Sequence, residues 1–300
     1  MTDDPSPETD GGLAVRGRVR VGTCGWQYRD WRGRFYPPGL ATNRWLAHYA
    51  TIFPAVEVDA SFYRLPTEAA IAAWRRTAAE HPGFRFALKG SRLITHVRRL
   101  ADCEAELRRF VDRIQPLAEA GAVAFLLWQL PPSLRRDPPR LADFLALLTA
   151  EASRFRHVVE FRHPSWLTDD VLADLATARV ACCWVSSTIM PPVAPRTSDL
   201  VALRFHGLAG GWAHDYTDPE LRPWADRLRA AARDGCEAYA FFNNDTLALA
   251  PKNARRLVEL LGEAALPWPG PAAPPRPADG SATGASTPAD GRPNANDQRP

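Results

Sequence analysis

Lysine is almost missing from this 300-residue chain: of its 37 basic residues only Lys89 and Lys252 are lysines, the rest being arginines. An arginine-rich composition explains the ratio, yet it leaves two positions where a compact ammonium was kept, and the two cations are not interchangeable at tight sites. Long apolar runs are absent too, with no stretch of 18 such residues, so no spanning helix and no membrane partner are expected. The five cysteines (24, 103, 182, 183 and 236) are odd in number and form no CxxC pair. That excludes a disulfide framework and a zinc finger and predicts reduced thiols in a cytoplasmic protein. Residues 1–12 hold Asp3, Asp4, Glu8 and Asp10 without a base or an apolar run, so no secretion signal is expected there. Neither GxGxxG nor a Walker loop follows any β-rich run, which lowers an open dinucleotide-binding sheet. The net charge of +3 is too small to argue for nucleic acid by itself.

What is present has an ordinary globular balance, 46% hydrophobic and 24% charged. Both ends depart from it. Residues 1–16 read as a disordered tail, and 265–300 turn to Pro, Ala, Gly and Ser, too poor in apolar groups to offset ordering entropy. The segment between, 17–264, is close to the ~250 residues of one α/β barrel.

Eight β-rich runs recur through it: 18–23, 55–61, 84–89, 122–129, 157–162, 180–185, 200–206 and 237–243. Amphipathic helical patterns fit between most of them, at 67–80, 100–120, 140–152, 168–178 and 219–232. The sixth unit is an exception, because "SSTIMPPVAPRTSD" (186–199) is too rich in proline for a helix. Repeated strand–helix alternation means a parallel sheet, and eight units favour a closed TIM-type (β/α)8 barrel.

In such a barrel the chemistry lies at the C-terminal strand ends. Side chains two apart share a face. Glu57 and Asp59, Lys89, Gln129, Glu160 and Arg162, and Arg204 and His206 are therefore expected to point inward near the mouth, out of phase with apolar neighbours. Acids and bases balance in this set, so a self-satisfied ion network is one reading and a functional pocket the other.

Seven segments carry a resemblance: "VGTCGWQYRDWRGRFYP" (21–37), "VEVDASFYRLP" (56–66), "FRFALKGSRLITH" (84–96), "LLWQLPP" (126–132), "VEFRHPSW" (159–166), "LRFHG" (203–207) and "FFNNDTLALAPKNA" (241–254). In this order they resemble the signature segments of the YecE-like family, the domain of unknown function 72. The resemblance covers the whole expected folded region. It implies a TIM-type barrel and supplies no reaction, a nucleic-acid-processing role having been inferred for the family from fold analogy. Cys24 stands where the family usually has Ser or Thr, and Asp59 where it usually has Asn, so neither a hydroxyl nor an amide is required there.

The residue types point to a phosphate-bearing ligand, either a small molecule or a nucleic acid. The last two strands run into "HGLAGGW" (206–212) and into Asn243, Asn244 and Asp245 before a helix opening near Lys252 and Asn253. Gly207 with free helix N–H groups and Lys252 would cradle a phosphate, the alternative being a local Lys252–Asp245 ion pair. Glu57, Asp59, Lys89, Glu160 and His206 are the candidate acid–base groups of a hydrolase, lyase or isomerase. Trp26, Tyr28, Tyr63, His96, Gln129, Arg162 and Arg204 are the further candidate ligand contacts. His96, His163, His206 and His214 show no metal-ligand spacing, so no cofactor is expected, a divalent ion being the remaining option. The arginine–aromatic loop 25–37 supports the alternative of a non-catalytic nucleic-acid-binding barrel.

Overall fold

The computed structural model describes residues 17–268. Its strands are β1 (Val19–Thr23), β2 (Ala55–Val58), β3 (Arg85–Lys89), β4 (Val123–Gln129), β5 (His157–Glu160), β6 (Ala181–Cys182), β7 (Trp184–Ser186), β8 (Leu200–Phe205) and β9 (Glu237–Phe242). All pair in parallel, in the orders β1-β9-β8-β7 and β2-β3-β4-β5-β6. Two seams join these sheets into one ring. A parallel bridge between Cys24 and Glu57, with Gly25 N–H donating to Glu57 O at 2.8 Å, ties β1 to β2. Cys183, whose N–H donates to Val159 O at 2.9 Å, carries the chain from β6 on β5 to β7 on β8. β6 and β7 are thus one barrel strand with a break, and the fold is the eight-stranded TIM-type barrel that the alternation implies.

Helices follow the strands: α1 (Trp45–Ala50), α2 (Ala60–Tyr63), α3 (Glu68–Glu80), α4 (Glu104–Glu119), α5 (Pro138–Ala152), α6 (Asp169–Thr177), α7 (Asp218–Arg233) and α8 (Leu249–Leu261). Their starts follow from local chemistry. Thr67 caps α3 by accepting from Ala70 N–H, Asp137 caps α5, and Thr217 with Glu220 forms a capping box on α7. The segment after β7 has no helix, as its prolines dictate.

The helical pattern expected from 100 begins only at Glu104. Arg99, Leu100 and Asp102 take positive φ (50°, 72° and 46°), which no helix tolerates, and a π-helical turn at Leu93–Val97 precedes them. Residues 265–268, assigned to the tail by composition, still pack on the barrel: Leu266 N–H donates to Val19 O at 2.8 Å and the Trp268 indole to Ala50 O at 2.8 Å. The remainder of both expected tails, 1–16 and 269–300, lies outside the described residues.

Strand alternation sorts two cores. Outward-facing Trp128 packs between Phe110 of α4 and Phe144 of α5. Inside the barrel Phe125, Tyr239 and Phe241 fill the middle, and a polar layer lies above them toward the C-terminal strand ends.

Candidate functional site

The polar layer is built around Arg204, 1% exposed on β8. Its Nε and Nη2 donate to the two oxygens of Glu57 at 2.9 and 2.6 Å, a bidentate pair across the barrel. Its Nη1 donates to Glu160 Oε2 at 2.5 Å and to Gln129 Oε1 at 3.1 Å. Glu57 and Glu160 are fully buried, so one guanidinium neutralises two sealed carboxylates. Burial pushes Glu57 up to about 7, against the opposing pull of Arg204. Burial also works to raise Glu160, but Arg204, His206 and Arg162 outweigh it and hold that carboxyl well below its usual range.

A second, more open layer lies above. His206 Nε2 is 2.8 Å from Glu160 Oε1, and its Nδ1 lies 3.2 Å from Asn243 Nδ2. An amide N–H can only donate, so Nδ1 accepts and the ring proton sits on Nε2, directed at Glu160. Burial, foremost, and then Arg162 and Arg204 hold His206 at about 4, so the ring is neutral at physiological pH. Arg162 Nη1 donates to Glu160 Oε1 at 3.1 Å, while its Nε is buried without a partner. Lys89 Nζ pairs with Asp59 Oδ1 at 3.2 Å and rests 4.4 Å over the Phe62 ring. The Lys89, Asp59 and Arg162 side chains are 11%, 15% and 17% exposed, so solvent reaches all three.

At the rim, His96 on the π-helical turn packs edge-on to Phe62 at 4.9 Å. Burial, then Lys89, Arg92, Arg162 and Arg99, bring it down to about 4. Four cations from the third and fifth units thus act on one imidazole. Beyond β8 and β9 the distribution reverses: segments 206–217 and 243–248 carry Asp215 and Asp245 and neither Lys nor Arg.

Among the described residues, Cys24, Glu57 and Asp59 place potential metal-ligand atoms within 4.8 Å of one another. The donor set does not suit a divalent ion. Arg204 Nη2 lies 2.6 Å from Glu57, 3.7 Å from Asp59 and 3.7 Å from Cys24 Sγ, so the guanidinium is already the cation of this cluster. Burial, reinforced by Glu57, also keeps the Cys24 thiol protonated.

The model of the family described as "Protein of unknown function DUF72" matches residues 20–278. The chain belongs to the DUF72 family. It is 25% identical over 272 residues to the UPF0759 protein YunF of Bacillus subtilis, covering 81% of this chain and 94% of that one. It is 34% identical over 122 residues to the UPF0759 protein YecE of Escherichia coli K12, covering 40% and 42%. A crystal structure of a DUF72 family protein from Thermotoga maritima superposes with TM-score 0.73 at 26% identity, covering 81% of this chain and 99% of that one. A xylose isomerase domain containing protein from Salmonella typhimurium, at 13% identity and TM-score 0.50, shares the fold.

Within this DUF72 barrel the structure brings together Glu57, Asp59, Lys89, Gln129, Glu160, Arg162, Arg204, His206 and Asn243, with His96 and the 53% exposed Tyr63 at the rim. It does not bring the expected phosphate cradle together. Lys252 pairs with Asp215 at 2.5 Å, not with Asp245, which lies before α8 on the same stretch of chain. Asn253 is 1% exposed and spends its amide on Asp215, Tyr216 and Asn244. Asn244 is likewise buried, donating to His214 O and Asn253 Oδ1. Asp245 O accepts from the Trp31 indole at 2.7 Å, locking the first loop onto the last. The Gly207 amide is taken by Tyr216 Oη at 2.9 Å, and a Cβ there would sit 1.8 Å from Gly211 O, so this glycine serves close chain approach.

Trp26 and Tyr28 also serve the fold. Trp26 is 6% exposed against Trp74, and Tyr28 donates to Cys24 O at 2.5 Å with its ring on Trp31. The aromatics of loop 25–37 point inward, and its arginines Arg29, Arg32 and Arg34 stay outside. Sequence reasoning missed Arg92 and Arg99. Their signal was present in "SRLITHVRRL" (91–100), three arginines directly after a strand ending in lysine.

Proposed function

We propose that this barrel is an enzyme acting on a phosphate-bearing ligand, with the anion held between Lys89 and Arg162 and screened at the rim by Arg92 and Arg99. The observation that carries this reading is spare donor capacity: Arg162 Nε is buried without a partner, and Lys89, with three N–H donors, has one carboxylate at 3.2 Å. Charge supports it as well. Glu57, raised toward 7 by burial, is partly protonated at neutral pH, so Lys89, Arg162 and Arg204 outweigh Asp59 and Glu160. Asp59 is the carboxylate that solvent reaches and serves as the base, with the Lys89 ammonium as its acid partner. Glu57 and Glu160 are sealed beneath Arg204 and orient the layer above them. Nucleotide, nucleic-acid and phosphosugar ligands share the chemistry that this site would recognise.

The non-catalytic nucleic-acid module loses its stacking platform, because Trp26, Trp31 and Tyr36 are buried in the loop meant to supply it.

A titration of His96 tests the anion reading. Its pKa is depressed by burial and four cations, and a bound phosphate would offset the latter. The imidazole pKa should therefore rise, by about one unit, on saturation with inorganic phosphate. Binding then takes up a proton between the free and bound pKa values, so phosphate affinity should strengthen as pH falls through that window. NMR of the His96 ring with and without phosphate reads this directly. An unchanged titration at saturating phosphate would place the anion elsewhere.

A further inference from the structure

Among the described residues seven large apolar side chains are exposed, and six of them stand within a few residues of a strand's C-terminal end. These are Tyr63 after β2, Leu93 and Val97 after β3, Ile189 after β7, Trp212 after β8 and Leu247 after β9, each between 45% and 55% exposed. The seventh, Val193, follows Pro192, whose carbonyl accepts from Arg227 of α7 on the barrel flank. Scattered apolar residues are ordinary on a protein surface, but confinement to one end of a barrel is not.

The same end is basic. Arg92, Arg98 and Arg99 interleave with Leu93 and Val97, and Arg29 and Arg34 are exposed on the loop after β1. The third loop is also built to project. Ile94 and Thr95 are buried and anchor the π-helical turn, which leaves Leu93 and Val97 outward. Arg99, Leu100 and Asp102 then hold left-handed conformations that side chains disfavour, and strain of this kind collects where a segment serves a partner.

We propose that the barrel mouth docks on an anionic phospholipid surface, the aliphatic rim entering the headgroup–acyl boundary and the arginines meeting headgroup phosphates. Three features select this occupant. The rim residues come from five loops around one barrel end, which suits a flat surface. Four of the six are aliphatic (Leu93, Val97, Ile189 and Leu247) and cannot stack on bases, while Tyr63 and Trp212 are the aromatic types found at membrane interfaces. The arginines match a negatively charged leaflet. No helix is long and apolar enough to cross a membrane, which bears on insertion and not on docking. The rim lies outside the Lys89–Arg162 floor, so this proposal stands separately from the anion reading.

Cosedimentation of the full chain with phosphatidylcholine vesicles, with and without phosphatidylglycerol, tests it. Binding is expected only with the anionic lipid, weakening as salt is raised. The Leu93→Asp/Val97→Asp variant should lose about tenfold or more of that binding. Phosphate affinity, measured calorimetrically, should be unchanged in the variant, which also shows that it is folded. The milder Leu93→Ser/Val97→Ser pair should show an intermediate loss. Absent binding to anionic vesicles, or binding undiminished in both variants, would overturn the proposal. So would capture of a single-stranded oligonucleotide in place of vesicles, which would assign the rim to nucleic acid. Vesicle binding without any phosphate binding would sustain the rim and remove the floor reading.

Discussion

Arg204→Met is expected to lower folding stability by about 3–5 kcal/mol, read as a fall in the denaturant midpoint. The size follows from what the substitution leaves behind. Glu57 and Glu160 are both fully buried and both depend on this guanidinium, at 2.6 and 2.5 Å. Two carboxylates sealed in an apolar barrel without their cation must protonate or let water in. Removing the whole group should be milder: Glu57→Gln/Arg204→Met/Glu160→Gln is expected to be less destabilised than Arg204→Met alone, since a neutral layer carries no stranded charge. The pH dependence has a definite sign. Glu160 is held well below 4.5 in the native protein, chiefly by Arg204 working against burial, so its contribution is present above 4.5 and lost as pH falls. The gap between wild type and Arg204→Met should therefore narrow on acidification. A gap that widens would mean that Arg204 is not what holds the carboxylate ionised.

The second large effect concerns the ligand. Lys89→Ala/Arg162→Ala should weaken binding of inorganic phosphate by about a hundredfold or more, since hydrogen bonds to a charged group contribute ~1.5–3 kcal/mol each. Lys252→Ala should leave it unchanged, because that ammonium is 65% exposed and already paired with Asp215. The contrast is the useful part. Both lysines lie near the C-terminal barrel end, and the phosphate cradle common in TIM barrels would favour Lys252. Isothermal titration of the three proteins separates the two placements.

Much of this fold was legible because its signals are local. Alternation set Glu57, Glu160 and Arg204 on inner faces, and the prolines of 186–199 excluded a sixth helix. What was not legible depends on distance across the barrel. No spacing in sequence says that Arg204 bridges Glu57 and Glu160, 147 and 44 residues away. Nor does any local rule choose Asp215 over Asp245 for Lys252, because the choice is made by where the loop after β8 folds. The aromatics of loop 25–37 looked like a stacking surface since composition does not encode direction. Trp31 turned inward to reach Asp245 O, and the first loop became a strap. The strained segment after β3 escaped notice for a related reason: Arg99, Leu100 and Asp102 do not advertise positive φ as glycine would.

The central claim is that the anion sits on the third and fifth units of the barrel. Crystals soaked in tungstate, a heavy phosphate analogue, would test it most directly through the anomalous difference map. The account predicts a peak within hydrogen-bonding reach of both Lys89 Nζ and the Arg162 guanidinium. A peak at Lys252 and Asn253, with none at Lys89, would contradict it.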